Sequence, residues 1–167
     1  ETKERLDKTI EGKIGSLNLA FMVTYMLIAP LFGWLADRMR RWLLVGIGVI
    51  LWSLASGATG LAATFLILFL ARCLVGVGEA AYGPVAPTVI ADLYPVSKRG
   101  SKLAWFYVAI PVGSALGYVV GGQVAYWMNG VQGIQGWRWA FYVVVPPGVL
   151  LGLWCFLMKE PARGQAD

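Results

Sequence analysis

The sequence predicts an all-α membrane protein with five transmembrane helices, on three observations. Of its 167 residues, 58% are hydrophobic and only 14% are charged, whereas a soluble domain carries about 25% charged residues. Four runs, at residues 14–36, 42–71, 103–137 and 139–158, carry no charge, and each is long enough for the roughly 20 residues of a membrane-crossing helix. The basic residues fall mainly in short connections between apolar runs, as membrane topology requires.

Five helices account for these runs, because the longer runs must contain turns. They are predicted at about 15–36, 43–63, 65–92, 102–124 and 138–158, so that residues 15–158 form a transmembrane bundle. The third helix is long for a bilayer and contains Pro84 and Pro87, which are expected to kink it or end its regular part.

The charge of the connections predicts the orientation. Basic residues cluster at 37–41, at 95–102 and after 158, which places these segments in the cytoplasm. Residues 1–14 are then an extracytoplasmic loop, and residues 159–167 are a cytoplasmic tail or the start of a linker. The net charge of +5 is explained by this topology, so no nucleic-acid partner is expected. The chain opens without Met, which favours a segment of a longer multi-pass protein of the plasma membrane or bacterial inner membrane.

Residue types argue against an enzyme. The chain has no histidine, and its two cysteines, Cys73 and Cys155, lie inside apolar runs without metal-ligand spacing. No strand precedes Gly76-x-Gly78, so this pair is not a dinucleotide-binding loop. We expect no catalytic residue, cofactor or metal site.

The connection at residues 33–41, GWLADRMRR, resembles the G-x-L-A-D-R-x-G-R-K loop between the second and third helices of the major facilitator superfamily. It departs from that pattern at Arg40 and Trp42. The resemblance implies a cytoplasmic gating loop that latches the two halves of a transporter, carried by four residues: Gly33, Asp37, Arg38 and Arg41.

Two further motifs resemble the same superfamily. Arg72-x-x-x-Gly76-x-Gly78 is similar to its fourth-helix pattern, and GSALGYVVGG, at residues 113–122, is similar to its fifth-helix glycine motif. The glycines form close-packing surfaces in both helices: Gly76 and Gly78 in one, and Gly113, Gly117 and Gly121 in the other. Many antiporters have Pro where Tyr118 stands, so antiport does not follow.

The blocks GVGEAAY, APTVIADLYP, FYVAIPVGSALGY and KEPARG resemble the Spinster family of lipid transporters, over nearly the whole chain. The resemblance implies the N-terminal half of the superfamily fold, from the second to the sixth of twelve helices. The first helix and the C-terminal half of the same transporter are then partners that this sequence does not contain.

Arg72 and Glu79 are charges inside an apolar run, and each costs about 2.5–3.5 kcal/mol at mid-bilayer. They share a helix face but lie roughly 10 Å apart along the axis, so each needs a partner on another helix. One interpretation is a buried pair that fixes packing; the other is a cavity-lining pair for protons or an anionic substrate. The resemblance implies the second. We assign Glu79 as the proton-responsive carboxylate, and Arg72 as its counter-charge or as the anchor for a phosphate-bearing headgroup. Tyr82, Tyr107 and Tyr118 are candidates to line the same cavity.

The predicted function is secondary active transport by alternating access, linked to protons. The resemblance implies an amphiphilic substrate, such as a lysophospholipid or a sphingoid phosphate. The partners expected are the surrounding lipid bilayer, this substrate and protons. Two alternatives stay open: a truncated or non-transporting membrane scaffold, and an exporter of drugs or other small molecules.

Overall fold

The computed structural model describes residues 2–164 and is helical almost throughout. In chain order the helices are α1 (Thr2–Ala36), α2 (Arg41–Leu61), α3 (Phe65–Tyr82), α4 (Val85–Leu93), α5 (Val96–Trp127), α6 (Gly136–Val143) and α7 (Val145–Leu157). A 3-10 turn, Val131–Gly133, lies between α5 and α6. α3 with α4, and α6 with α7, each form one apolar span, so these residues contain five helices long enough to cross a membrane. The predicted number of spans is confirmed.

The connections follow the backbone chemistry of proline and glycine. Between α3 and α4, Gly83 and Pro84 keep helical angles, but Pro84 and Pro87 have no N–H to donate one turn back. The span is therefore interrupted there, as its prolines predict. Between α5 and α6 the chain turns at Gly130 and Gly133, whose φ angles are 82° and 73°, a conformation that glycine adopts without steric cost.

Two segments predicted as connections are helical. The loop predicted at residues 1–14 is wrong for its described part, because α1 already begins at Thr2. Lys8 and Glu4 form an ion pair of 2.9 Å one turn apart, and such pairs stabilise exposed helix. α5 begins at Val96 rather than near residue 102, since only the extended Tyr94 and Pro95 separate it from α4.

The central helix of the bundle is α2. α3 packs along it, α7 and α6 pack on it as well, α1 packs mainly on α3, and α5 mainly on α6. The apolar window of α2 is 56% buried, whereas that of α5 has no buried residue. The core near the start of α2 is built from a small aliphatic cluster: Ala36, Leu44, Val45, Val49 and Val85.

Glycine makes the closest helix contacts. A Cβ added to Gly48 would lie 2.7 Å from the carbonyl oxygen of Gly78, and one on Gly78 would lie 2.7 Å from the backbone nitrogen of Trp52. α2 and α3 therefore meet backbone to backbone. On the α1 side of α3, a Cβ on Gly76 would lie 2.7 Å from the carbonyl oxygen of Phe21. The structure thus places Gly76 and Gly78 at two different helix contacts.

The glycine strip of α5 makes no comparable contact within residues 2–164. Nothing lies within 4 Å of a Cβ built on Gly113 or Gly117, and on Gly121 the nearest atom is Ala140 Cβ, at 4.0 Å. The close helix approach predicted for this strip is not seen there, because α5 packs mainly on α6 and α4 and neither comes within 4 Å of a Cβ on Gly113 or Gly117.

Candidate functional site

Arg72, Gly76 and Glu79 lie along one face of α3, and Gly83, which follows the last residue of the helix with helical angles, continues this face. The spacing of four, three and four residues follows the helical period, so the four positions form a strip. α1 packs onto its glycines: a Cβ on Gly76 would lie 2.7 Å from a backbone oxygen of α1, and one on Gly83 would lie 2.5 Å from the Tyr25 hydroxyl. The two charged side chains therefore flank the contact between α1 and α3.

Both charged side chains are half-buried, and neither forms a hydrogen bond or ion pair with a described residue. The charge of Arg72 acts on Glu79 through space without direct contact. The partners that the sequence predicts on other helices are not found in this part of the chain, because residues 14–36 and 42–71 carry no charge.

This arrangement leaves a carboxylate and a guanidinium accessible at membrane depth. Unpaired ionisable groups inside a membrane are costly and mark substrate or ion pathways. The guanidinium presents several N–H donors in a planar fork that matches carboxylate and phosphate oxygens. The pair, Arg72 and Glu79, is therefore the candidate site for binding an anionic group and a proton.

The structure brings only one of the three candidate tyrosines close to this pair. Tyr82 lies one turn after Glu79, but its ring meets Trp52 edge-on at 5.2 Å and Phe106 at 5.7 Å. It therefore joins α3 to α2 and α5. The two candidates on α5, Tyr107 and Tyr118, are 51% and 86% exposed, and Tyr118 makes no ring contact among the described residues.

A second group of charges, here called the Arg41 cluster, consists of Arg41, Asp92, Glu160 and Arg163. The Arg41 side chain is only 5% exposed. Its Nη1 donates to Asp92 Oδ2 at 2.5 Å, its Nε to Glu160 Oε1 at 2.7 Å, and its Nη2 to the carbonyl oxygen of Pro161 at 3.2 Å. Every nitrogen of this guanidinium is therefore bonded, which is what a buried charge requires.

The segment after α7 completes the Arg41 cluster. Glu160 accepts from the backbone N–H of Trp42 at 3.3 Å, and Asp92 accepts from that of Gly164 at 3.0 Å. Arg163 donates to three carbonyl oxygens at the end of α1, those of Ala36, Asp37 and Met39. A cation there also suits the negative end of the helix dipole. Residues 160–164 thus tie together the end of α1, the start of α2 and the end of α4.

Glu160 lies outside the membrane spans, and two effects oppose each other on its carboxyl. Burial acts to raise the pKa of Glu160, but hydrogen bonds from Arg41 and from the Trp42 amide outweigh burial, so that the pKa is lowered. The carboxylate is consequently held ionised at neutral pH, and its charge compensates that of Arg41.

The four predicted gating residues do not share one environment. Arg41 is buried in the cluster, and Gly33 lines a cavity of about 360 Å³ beside it, with nothing within 4 Å of an added Cβ. Gly33 therefore does not mark a close helix contact in the described chain. Asp37 is 79% exposed and 3.9 Å from Arg163. Arg38 stacks at 4.0 Å on the ring of Trp34.

Sequence reasoning missed Asp92, Glu160 and Arg163 as members of a site. It treated Arg163 as a topological charge and did not use the two acids. Part of the signal was available, because Asp37 and Glu160 lie within the basic segments predicted to lie on one side of the membrane, and Asp92 lies three residues before the basic segment at 95–102. Acids among so many cations indicate specific pairing.

Comparison with known proteins identifies the family. Residues 9–167 match the family model described as Major Facilitator Superfamily. The chain belongs to this superfamily. It is an integral, multi-pass membrane protein, and the predicted resemblance and fold class are confirmed.

The relatives carry the Spinster name. The chain is 40% identical to "Protein spinster" of Drosophila melanogaster over 153 residues, which are 92% of this chain and 24% of that protein. It is 42% identical to "Protein spinster homolog 1" of Mus musculus over 161 residues, which are 94% of this chain and 29% of that protein. The chain therefore spans less than a third of the length of these relatives.

Two solved structures share the fold. They are crystal structures of a bacterial homolog to the human lysosomal transporter Spinster, in inward-facing occupied and inward-facing unoccupied conformations. The TM-scores are 0.73 and 0.72, with 30% and 32% identity. The match covers 89% of this chain and 36% or 35% of the solved chains.

Proposed function

We propose that this chain forms part of a Spinster-like secondary active transporter that moves an amphiphilic substrate by alternating access, linked to protons. One observation supports it above the others: Arg72 and Glu79 share a face of α3, at membrane depth and without bonds to described residues. Transporters of this superfamily rock two halves around a site near the bilayer midplane. A charge pair at that depth can bind a proton and an anionic group of the substrate.

In this proposal Glu79 takes up and releases the proton. Arg72 offsets the charge of the ionised carboxylate from a distance and, once Glu79 is protonated, its charge balances the anionic headgroup of the substrate. A lysophospholipid or a sphingoid phosphate combines such a headgroup with one long hydrocarbon chain, and the apolar helices around the pair suit that chain. The similarity to a homolog of a lysosomal transporter supports transport over a scaffold or an enzyme.

The Arg41 cluster gives the gating loop a narrower role than the sequence predicts. Arg41 is bonded within its own bundle, so we assign it to holding that bundle rigid. Asp37, which exposes most of its carboxylate, is the loop residue left to contact another part of the transporter. The proposal includes the orientation, with this loop and residues 159–164 on the cytoplasmic side.

Flux through Glu79→Gln tests the proposal. The transporter containing this chain is reconstituted in vesicles with a pH difference, and uptake of a labelled lysophospholipid is measured from pH 5 to 8. The unmodified protein is expected to show flux that depends on the pH difference. Glu79→Gln is expected to lose this dependence, and Arg72→Gln is expected to lose flux of the phosphate-bearing substrate.

Glu11→Gln is the matched control, because Glu11 is an exposed acid on the charged first part of α1. Its pH profile is expected to equal that of the unmodified protein. Normal pH dependence in Glu79→Gln contradicts the proton role. Absence of any flux in the unmodified protein supports a scaffold, and flux of drugs without flux of lysophospholipid supports the exporter.

A further inference from the structure

Tyr25 of α1 is held against the charged face of α3 by both glycines of that face. A Cβ on Gly76 would lie 3.3 Å from the backbone nitrogen of Tyr25. One on Gly83 would lie 2.5 Å from the Tyr25 hydroxyl and 3.3 Å from the ring carbon that bears it. A side chain at either glycine would therefore displace Tyr25. The position of this tyrosine is set by contacts within the described chain.

Glu79 lies between the two glycines, so the side chain of Tyr25 runs beside it. The Cβ built on Gly83 would also lie 3.3 Å from the carbonyl oxygen of Glu79, which places the Tyr25 hydroxyl next to the backbone of that residue. Positions one helical turn apart have Cβ atoms about 5–6 Å apart. Because Glu79 precedes Gly83 by one turn, its carboxyl group can reach this hydroxyl by a change of rotamer.

The hydroxyl of Tyr25 forms no hydrogen bond with a described residue, although the side chain is half-buried and buried hydroxyls are normally bonded. Its neighbour Thr24, at the same helix contact, donates to the carbonyl oxygen of Ala20 at 2.8 Å. The apolar parts of α1 and α2 that pack on α3 carry no charge. The Tyr25 hydroxyl is therefore the unbonded donor that α1 brings to Glu79.

We propose that Tyr25 is a positioning residue of the transport site, whose hydroxyl donates a hydrogen bond to the carboxyl group of Glu79 when that side chain turns towards α1. The inference rests on the proposed function, in which Glu79 carries the proton. The bond can form in either protonation state, because a carboxylate and a carboxylic acid both accept from a hydroxyl. A rigid ring then fixes the direction of a flexible carboxyl group, and Arg72, two turns away, is not constrained by this bond.

Infrared spectroscopy tests this bond without relying on transport. The transporter containing this chain is held in nanodiscs, and the bands of the Glu79 carboxyl group, protonated or ionised, are assigned by their absence in Glu79→Gln. A hydroxyl that donates to a carbonyl oxygen weakens the C=O bond, so Tyr25→Phe is expected to move the C=O band of the protonated group to higher wavenumber. Thr24→Val is the matched control, because it removes the neighbouring hydroxyl, and it is expected to leave the bands unchanged.

Gly83→Ala is a second variant, which keeps the Tyr25 hydroxyl but displaces it, because the new Cβ would lie 2.5 Å away. It is expected to shift the Glu79 bands as well, and it decides the matter if Tyr25→Phe does not fold. Unchanged bands in either variant overturn the inference, as does an equal shift in Thr24→Val. The proposed function fails separately: pH-dependent flux that survives in Glu79→Gln contradicts it, whether or not Tyr25→Phe moves the bands.

Discussion

The Arg41 cluster and the pair Arg72 and Glu79 each combine positive and negative charges in one bundle. They differ in whether those charges are bonded to described residues. Arg41 has 5% of its side chain exposed and bonds to two carboxylates and a carbonyl oxygen. Arg72 and Glu79 are half-buried and make no hydrogen bond or ion pair with described residues. A charge satisfied within the described residues maintains their structure, whereas one that they leave unbonded can pair with a group outside them.

The largest expected effect is that of removing Arg41. Arg41→Met leaves two acids without their partner, and breaking a buried ion pair from one side costs about 3–5 kcal/mol. The free energy of unfolding is measured by denaturant titration in micelles, followed by circular dichroism. Arg72→Met is the matched control and is expected to lose far less. Equal losses in the two variants contradict the distinction drawn between the two groups.

The next effect concerns the glycine between the two charges of α3. Gly76→Ala places a Cβ 2.7 Å from a backbone oxygen of α1, so α1 and α3 must separate, at a cost of about 1–3 kcal/mol for overpacking. Gly117→Ala, on the open side of α5, is the control and is expected to keep or slightly raise the free energy of unfolding. If both variants are equally stable, α1 does not pack on α3 as described.

A smaller effect is the pH dependence contributed by Glu160. Because its pKa is lowered in the folded protein, its contribution is present above the pKa of the unfolded chain and is lost as the pH falls through the folded value. Glu160→Gln keeps an acceptor but not the charge, and is expected to lose about 1 kcal/mol at pH 7.

Unfolding measured from pH 7 down to pH 3 checks this point. The difference in stability between the unmodified protein and Glu160→Gln is expected to shrink over the acidic part of the range. A difference that stays constant with pH shows that Glu160 acts through its shape and not through its charge.

The smallest expected effect on stability is that of Glu79→Gln. The carboxylate has no bond to a described residue, so Glu79→Gln breaks none, and we expect the free energy of unfolding to fall by no more than about 0.5 kcal/mol. Asp92→Asn is the matched control, since it removes an acid that is bonded to Arg41 and to Gly164. A loss in Glu79→Gln as large as that in Asp92→Asn assigns Glu79 to the framework.

The sequence predicts the spans well because a membrane helix is encoded locally. Uncharged runs, prolines and basic connections predict five spans and the interruption near Pro84, and all are present. The start of α1 was missed, since charged residues at 4–13 suggest a loop by hydropathy alone. Their pairing one turn apart, as in Glu4 and Lys8, is the signal for an exposed helix.

The sequence predicts the Arg72 and Glu79 pair but not the Arg41 cluster, because the bonds of that cluster join distant segments. The spacing of Arg72 and Glu79 predicts a shared helix face, which the structure has. The partners of Arg41 lie 51 and 119 residues away, and no local pattern specifies which acid reaches which arginine. Packing of α2 against α4 and the segment after α7 decides that choice.

The length of α1 has a mechanical consequence. At about 1.5 Å per residue, its 35 residues extend for about 52 Å, whereas the hydrocarbon core is about 30 Å thick. About 20 Å of rigid helix therefore stands clear of the apolar layer, bearing the acids and lysines of residues 4–13. If the bundle tilts by about 10°, the first residue of α1, about 52 Å from the last, moves by about 9 Å relative to it. A spin label on the first turns of α1 therefore reports a small rotation of the bundle as a measurable displacement outside the apolar layer.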